Sequence, residues 1–454
     1  MQLNLKQPTR TSILLLGILF PMAFDYKGET GGGAIIVGIF AISFCAACLF
    51  LREYWSSLDL ALAEKLVGVA TVLPWAASLI PLLLGTVELR PFTHTVVPYV
   101  LLTLGYFVGL AIYKAGLFSR FLGIVFVCAF VSVTFNLFRG WAENVEPMSF
   151  ENVRYHIISQ YSYALFLVAG YQILCRQRIA FKYVAALDVI VAVMFLALTR
   201  SYVIALLAGL VFMVLPTAQL ADGKSSRRKK AHSLMVPSLS VVLVIAFVAA
   251  FQPTTMVGWQ GVMARSLHFG DAFHPLASES TLRTEQSLDV SAIERLAEIS
   301  SQLSLLDSDW TSMVFGRGIG SPYGLAAGYY DFLGSIPTEW NKQFTFVGHN
   351  FWVYSIFANG IVVGLVLPLC LLFLLVRGVV LVRGSRFASV KAHERAAAVI
   401  SLAYLGIILA STIGANVLGS RAGTLMFGIF LGVLVGWMSE WSRSNSASRP
   451  ALEA

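Results

Sequence analysis

The sequence predicts an all-α polytopic membrane protein with about 12 transmembrane helices. Three observations carry that expectation. The 454-residue chain is 57% hydrophobic and only 12% charged, where soluble domains carry about a quarter charged residues; its mean hydropathy is +0.76. Apolar runs long enough to cross a ~30 Å hydrocarbon core recur along most of its length. Lysine and arginine collect in alternate connections between those runs, as the positive-inside rule requires. The net charge of +8 follows from that bias and needs no nucleic-acid partner.

The opening stretch MQLNLKQPTRTSILLLGILFPMAF is basic and then apolar, like a signal peptide. It has no small-x-small cleavage site, so it reads as a retained first helix near 11–24. Spans follow near 34–51, 66–86, 96–113, 121–138 and 157–175. The stretch 184–216 is too long for one span and short for two. Its flanks, CRQRIAFK and KSSRRKK, are both basic, so the chain crosses twice there and turns near Thr199, Arg200 and Ser201. Spans near 235–252, 350–375, 398–418 and 423–438 complete the twelve, with both termini cytoplasmic. On this map 21 of the 32 lysines and arginines lie inside. Residues 1–252 thus carry helices 1–9, residues 253–349 form one large outer loop, and residues 350–454 carry helices 10–12 and a cytoplasmic tail. No internal repeat is visible.

The five cysteines, Cys45, Cys48, Cys128, Cys175 and Cys370, lie in or beside apolar runs and read as packing residues, not as a disulfide framework. The large outer loop holds ten acids and five bases. Within it Val290, Ile293, Leu296, Ile299, Leu303 and Leu306 recur at helical spacing. A helix is expected there, started by a Ser291–Glu294 capping box and lying on the membrane mouth with its apolar side down. A second outer loop spans 139–156.

Charge inside the spans is nearly absent, since Asp188 sits close to the inner end of its helix. That counts against a pump or secondary transporter, which needs ionisable groups at mid-depth. Three outer residues stand out. Arg200, alone at the tip of a hydrophobic hairpin, reads either as a snorkelling side chain or as a functional cation on the side the charge rule disfavours. Arg295 lies on the amphipathic helix, where a solvated arginine is the ordinary reading. His349 opens the run HNFWVYSIFANGIVVGL, as an interfacial histidine or as a working one. Gly316, Gly318 and Gly320 in FGRGIGS read as a tight turn, because no strand precedes them as in a phosphate loop. Asp307 and Asp309 have D-x-D spacing but follow a helix, where aspartates make turns. With no zinc-type spacing elsewhere, neither metal nor cofactor is expected.

Three stretches together resemble the O-antigen ligase and polysaccharide polymerase superfamily of bacterial envelopes (the WaaL and Wzy type). LALTRSYVIALLAGLVF is similar to its Thr/Ser-Arg followed by small and aliphatic residues. ERLAEISSQLSLLDSDWTSMVFGRGIGS is similar to its arginine, amphipathic helix and glycine turn. The HN-aromatic helix with a later Gly-x-x-x-Gly is similar to its third motif. The similarity covers roughly 185–435, and the family's dense arginine complement near the large loop is thin here. The resemblance implies a metal-independent inverting glycosyltransferase of the bacterial inner membrane, with its loop and active site facing the periplasm. It would move a glycan from an undecaprenyl-diphosphate carrier to an acceptor sugar hydroxyl, most simply as a polymerase of O-antigen or exopolysaccharide. The alternative is a ligase to lipid A–core with the same chemistry. His349 would be the base, Arg200 and Arg295 would hold the diphosphate, and Asn350, Arg317, Arg154 and Arg139 would support them. The chain-length regulator and flippase of the same pathway are the implied protein partners. A lipid-linked glycan flippase is the rival reading, and the several mid-membrane cations it should show are not seen.

Overall fold

The computed structural model describes residues 7–25, 33–142, 157–175, 180–197, 199–218, 290–324, 347–412 and 416–447. Those residues are almost entirely helical, and seven helices are long and apolar enough to cross a membrane. The protein is an α-helical polytopic membrane protein. Helix α1 covers Gln7–Leu19, α2 Gly33–Tyr54, α3 Leu62–Ala77 and the short α4 Leu79–Leu83. Next come α5 (Leu89–Lys114), α6 (Phe118–Ala142), α7 (Ser162–Cys175), α8 (Phe181–Ala197) and α9 (Arg200–Ala218). The long apolar stretch 184–216 does divide into two helices, at Thr199. The expected span 235–252 and most of the large loop lie outside the described residues.

After that segment come α10 (Val290–Asp307), α11 (Trp310–Phe315), α12 (Phe351–Arg383), α13 (Ala392–Ser411) and α14 (Arg421–Ala447). Helix α14 is the core of the bundle, with 89% of its most apolar window buried, against 22% for the peripheral α2. Lipid is as apolar as leucine, so helices in a bilayer associate through close packing and not through the hydrophobic effect. The α5–α14 crossing shows how. Gly105 and Gly109 lie against the carbonyls of Leu425 and Ile429, while Gly428 and Gly432 lie against those of Leu102 and Tyr106. A Cβ at any of the four would collide with backbone. The register also makes α5 and α14 parallel.

Two part-buried ion pairs hold opposite ends of the bundle. Arg421, opening α14, donates from Nη2 to Asp25 Oδ1 at 2.8 Å and from Nε to Oδ2 at 3.3 Å. At the other end Lys114 Nζ lies 2.7 Å from Glu64 Oε2. Glu64 also accepts the Ala61 amide at the start of α3 at 2.7 Å.

One expected span is not a simple helix. The backbone of α12 leaves helical geometry at Gly360 (φ 72°, ψ 171°). Residues 351–359 form one short helix and residues 361–383 a second, long enough to span alone. Into this break fits the FGRGIGS turn. The amides of Arg317 and Gly318 donate to the carbonyls of Phe357 and Ala358, both at 2.8 Å, satisfying the end of the first half-helix. Helix α3 is interrupted beside the same place. Ser78, between α3 and α4, donates from Oγ to Asn359 Oδ1 at 3.0 Å and accepts the Ile319 amide at 3.1 Å.

Candidate active site

Helix α10 was expected to lie on the membrane mouth with its apolar side down; the positions it buries against the rest of the structure include Ala297, Glu298, Ser301 and Gln302 together with Leu306, whereas Leu303 is 46% exposed. The inward stripe is therefore largely polar. It is tolerated there because the Glu298 carboxylate finds partners, which a buried carboxylate requires. The described helix covers Val290–Asp307, which puts Ser291 within it.

Those partners converge on Glu298, whose side chain is only 5% exposed. Oε1 accepts from the Tyr323 hydroxyl at 2.7 Å, the His349 amide at 3.0 Å and Gln302 Nε2 at 3.2 Å. Oε2 lies 2.7 Å from Nδ1 of His349. Burial pushes the Glu298 carboxyl up, but the hydrogen bond and charge of His349, aided by Tyr323, outweigh it and hold the group below its ordinary 4.5. Burial and the Glu298 charge push the Tyr323 hydroxyl far up, so it stays a donor. Gly348 lets this happen: a Cβ there would crowd Gln302, Glu298 and Tyr354.

An ionised carboxylate only accepts, so Nδ1 of His349 carries a proton and donates it. In the neutral ring the lone pair is then on Nε2. The His349 side chain is 53% exposed, so a buried acid orients a ring that reaches solvent. Such an arrangement can take a proton from a hydroxyl brought to Nε2.

The other predicted residues take varied places. Asn350 is the N-cap of α12, its Oδ1 accepting the Val353 amide at 3.0 Å. Arg317 donates to the Leu305 carbonyl from Nη2 at 3.0 Å and from Nε at 3.3 Å, and to Ser308 Oγ at 2.9 Å. It thereby satisfies the C-terminal end of α10. Arg295 is half-buried on α10, three residues before Glu298. Arg200 opens α9 at the same end of the bundle as His349. The link runs from Trp352, whose Nε1 donates to Thr412 at 3.1 Å, through Ser411 and Tyr163 to Tyr202, which stacks on Tyr163 with centroids 5.4 Å apart. Arg139 is half-buried near the end of α6, and Arg154 lies outside the described residues.

Of the D-x-D pair, Asp309 is accounted for locally. Asp309 is the N-cap of α11, taking the amides of Thr311 and Ser312 at 2.9 and 3.2 Å. The Thr311 hydroxyl and amide, with Ser312, hold its carboxyl down at about 2. Among the described residues no cluster of three or more histidine, cysteine and acidic side chains is placed to hold a metal ion.

Sequence reasoning missed Glu298, Gln302 and Tyr323. The signal available for the first two was their i, i+4 spacing beside small residues, Ala297 and Ser301, on one helix stripe. Compared with known proteins, the chain matches no family model and no curated protein.

Proposed function

We propose that this protein is a membrane glycan transferase that uses a lipid-diphosphate-linked donor at one face of the bilayer. The observation that supports it best is the His349–Glu298 pair: a buried carboxylate orienting a half-exposed imidazole at one end of a bundle of membrane helices. In this reading the acceptor sugar hydroxyl approaches Nε2 of His349. Its oxygen attacks the anomeric carbon, its proton passes to Nε2, and the carbon–oxygen bond to the diphosphate breaks with the electron pair leaving on undecaprenyl diphosphate. One displacement inverts the anomeric centre. Arg200 and Arg295 neutralise the departing diphosphate, since guanidinium forks match phosphate oxygens with bidentate charge-assisted bonds. The donor carries its own leaving group, so the reaction needs no nucleotide. The face is the periplasmic side of a bacterial inner membrane, and the acceptor is a repeat unit on a second carrier, making the protein a polysaccharide polymerase. Transfer of finished chains to lipid A–core uses the same steps with another acceptor.

The test is glycan transfer by membranes in which the protein is present in normal amounts. His349→Ala is expected to lose about 10²–10⁴-fold in rate, the usual cost of removing a general base. Arg200→Lys keeps charge but loses the planar fork, and substantial loss is expected there too. Normal polymer from His349→Gln at unchanged abundance would return the histidine to a structural role, because glutamine cannot serve as the base.

A further inference from the structure

A groove of about 680 Å³ runs between the first half of α3, the second half of α12 and the last half of α14, at the end of the bundle away from His349. That volume is in the range of small-molecule sites, ~300–1,000 Å³. All three walls are membrane-spanning segments. Leu66, Val69 and Phe373, on its rim, are 61%, 53% and 59% exposed, so the groove opens towards lipid and not into the protein core.

Its lining is apolar except at one end, where Arg377, Ser439, Ser442 and Arg443 gather. Arg377 is half-buried, and its Nη2 donates to Ser442 Oγ at 3.0 Å. Among the described residues no carboxylate pairs with Arg377 or Arg443. The Ser439 hydroxyl is buried and has no hydrogen-bond partner among them. An apolar slot ending in two cations and an unsatisfied hydroxyl is complementary to one kind of molecule present in that setting.

We infer that this groove is a binding site for an anionic phospholipid of the adjoining leaflet. One acyl chain lies along Leu66, Ala70 and Phe373. The phosphate sits on Arg377 and Arg443, where guanidinium groups form charge-assisted bonds, and Ser439 donates to a headgroup oxygen. A net-negative headgroup offsets one of the two arginine charges, whereas a choline headgroup brings its own cation against them. The inference depends on the membrane bundle and not on the chemistry proposed for His349.

The test uses the purified full-length protein, delipidated in non-ionic detergent. Phosphatidylglycerol and phosphatidylcholine with identical chains are titrated back, with bound lipid read by native mass spectrometry and stability by thermal melting. Phosphatidylglycerol is expected to be retained and to stabilise at concentrations about fivefold lower or more. The double variant R377Q/R443Q is expected to lose that preference. Equal retention of the two lipids by the wild type, or an unchanged preference in R377Q/R443Q, overturns the site. Should the double variant not accumulate, Ala63→Trp decides, since Ala63 lines the groove and a tryptophan there fills it. Loss of bound phosphatidylglycerol supports the proposal, and undiminished retention overturns it.

Discussion

Glu298 uses its two carboxylate oxygens differently. Oε1 takes three donors, from Tyr323, Gln302 and the His349 amide, while Oε2 faces Nδ1 of His349. In Glu298→Gln the carbonyl oxygen must keep the place of Oε1, because three donors point there. The amide NH₂ then takes the place of Oε2 and donates to Nδ1, which forces the ring proton onto Nε2. The nitrogen meant to accept a proton would already hold one. Glu298→Gln is therefore expected to lose transfer almost as severely as His349→Ala, up to about 10⁴-fold, although the side chain is the same size. Rates measured at matched membrane abundance check this, and a loss below about threefold would separate Glu298 from the chemistry. A pH dependence belongs to the same residue. The folded state holds this carboxyl below its ordinary 4.5, so the unfolded chain protonates first as pH falls. The stability it contributes is complete above about pH 4.5 and disappears as pH drops through the lower folded value. Melting of the purified protein should thus fall more steeply from about pH 5.5 to 3.5 in the wild type than in Glu298→Gln. His349 stood out in the sequence because a titratable group before an apolar run is conspicuous. Glu298 did not, being one of ten acids in a loop whose folding alone decides which is buried.

Among the elements, α12 and the glycine turn fit together through steric necessity. Gly360 has φ +72° and ψ 171°, a region open to glycine alone, and a Cβ there would collide with the backbone of Val314. Gly316 faces the same place from the other side, against Ala358 and Asn359. The turn therefore presents its amides to the broken helix end only while both positions lack side chains. Gly360→Ala is expected to cost at least about 3 kcal/mol and to lower the melting temperature by many degrees. Gly38→Ala in α2, where a Cβ meets nothing within 4 Å, is the matched control and should leave it nearly unchanged. Melting curves of the two purified variants settle the point, and equal stability would mean that the break is not held by Gly360. The turn itself was legible, because three glycines at alternate positions without a preceding strand leave little else. The break in α12 was not, since hydropathy runs on through it. The one mark was Asn359, a polar side chain inside an apolar run, now bonded to Ser78. In α10 the aliphatic periodicity is real, but the face packed against the bundle carries Glu298 and Gln302, so the hydrogen bonds of Glu298, not apolar burial, decide which face turns inward.

Across the whole molecule, the order of crossings follows from helix direction. The parallel α5–α14 contact puts Leu89 and Arg421 at one end, together with the Asp25–Arg421 pair, His349 and the start of α9. Lys114, Glu64 and the Arg377–Ser442 bond mark the opposite end. Hydropathy located the apolar helices, seven of which are long enough to cross a bilayer. It could not reveal which helices touch, although glycines at i, i+4 in α5 and α14 were the available sign. The two ends give a prediction that needs no assumption about chemistry. Single cysteines at Ser56, Ser119 and Ser389 lie at exposed positions at the Lys114 end, and cysteines at Thr93 and Gly419 lie at exposed positions at the His349 end. In a background lacking the five native cysteines, a membrane-impermeant thiol reagent added to intact cells should label one set and spare the other. The positive-inside rule assigns the protected set, since Arg377, Arg383, Arg386, Lys391 and Arg395 cluster around Ser389. Thr93 and Gly419 should therefore react from outside, and Ser56, Ser119 and Ser389 only after the membrane is permeabilised. Labelling of Ser56 and Thr93 from the same side would break the alternation and with it the parallel crossing. Reversal of the two sets would keep the bundle but turn His349 to the cytoplasm, where a reaction on an outward-facing lipid-linked glycan cannot occur.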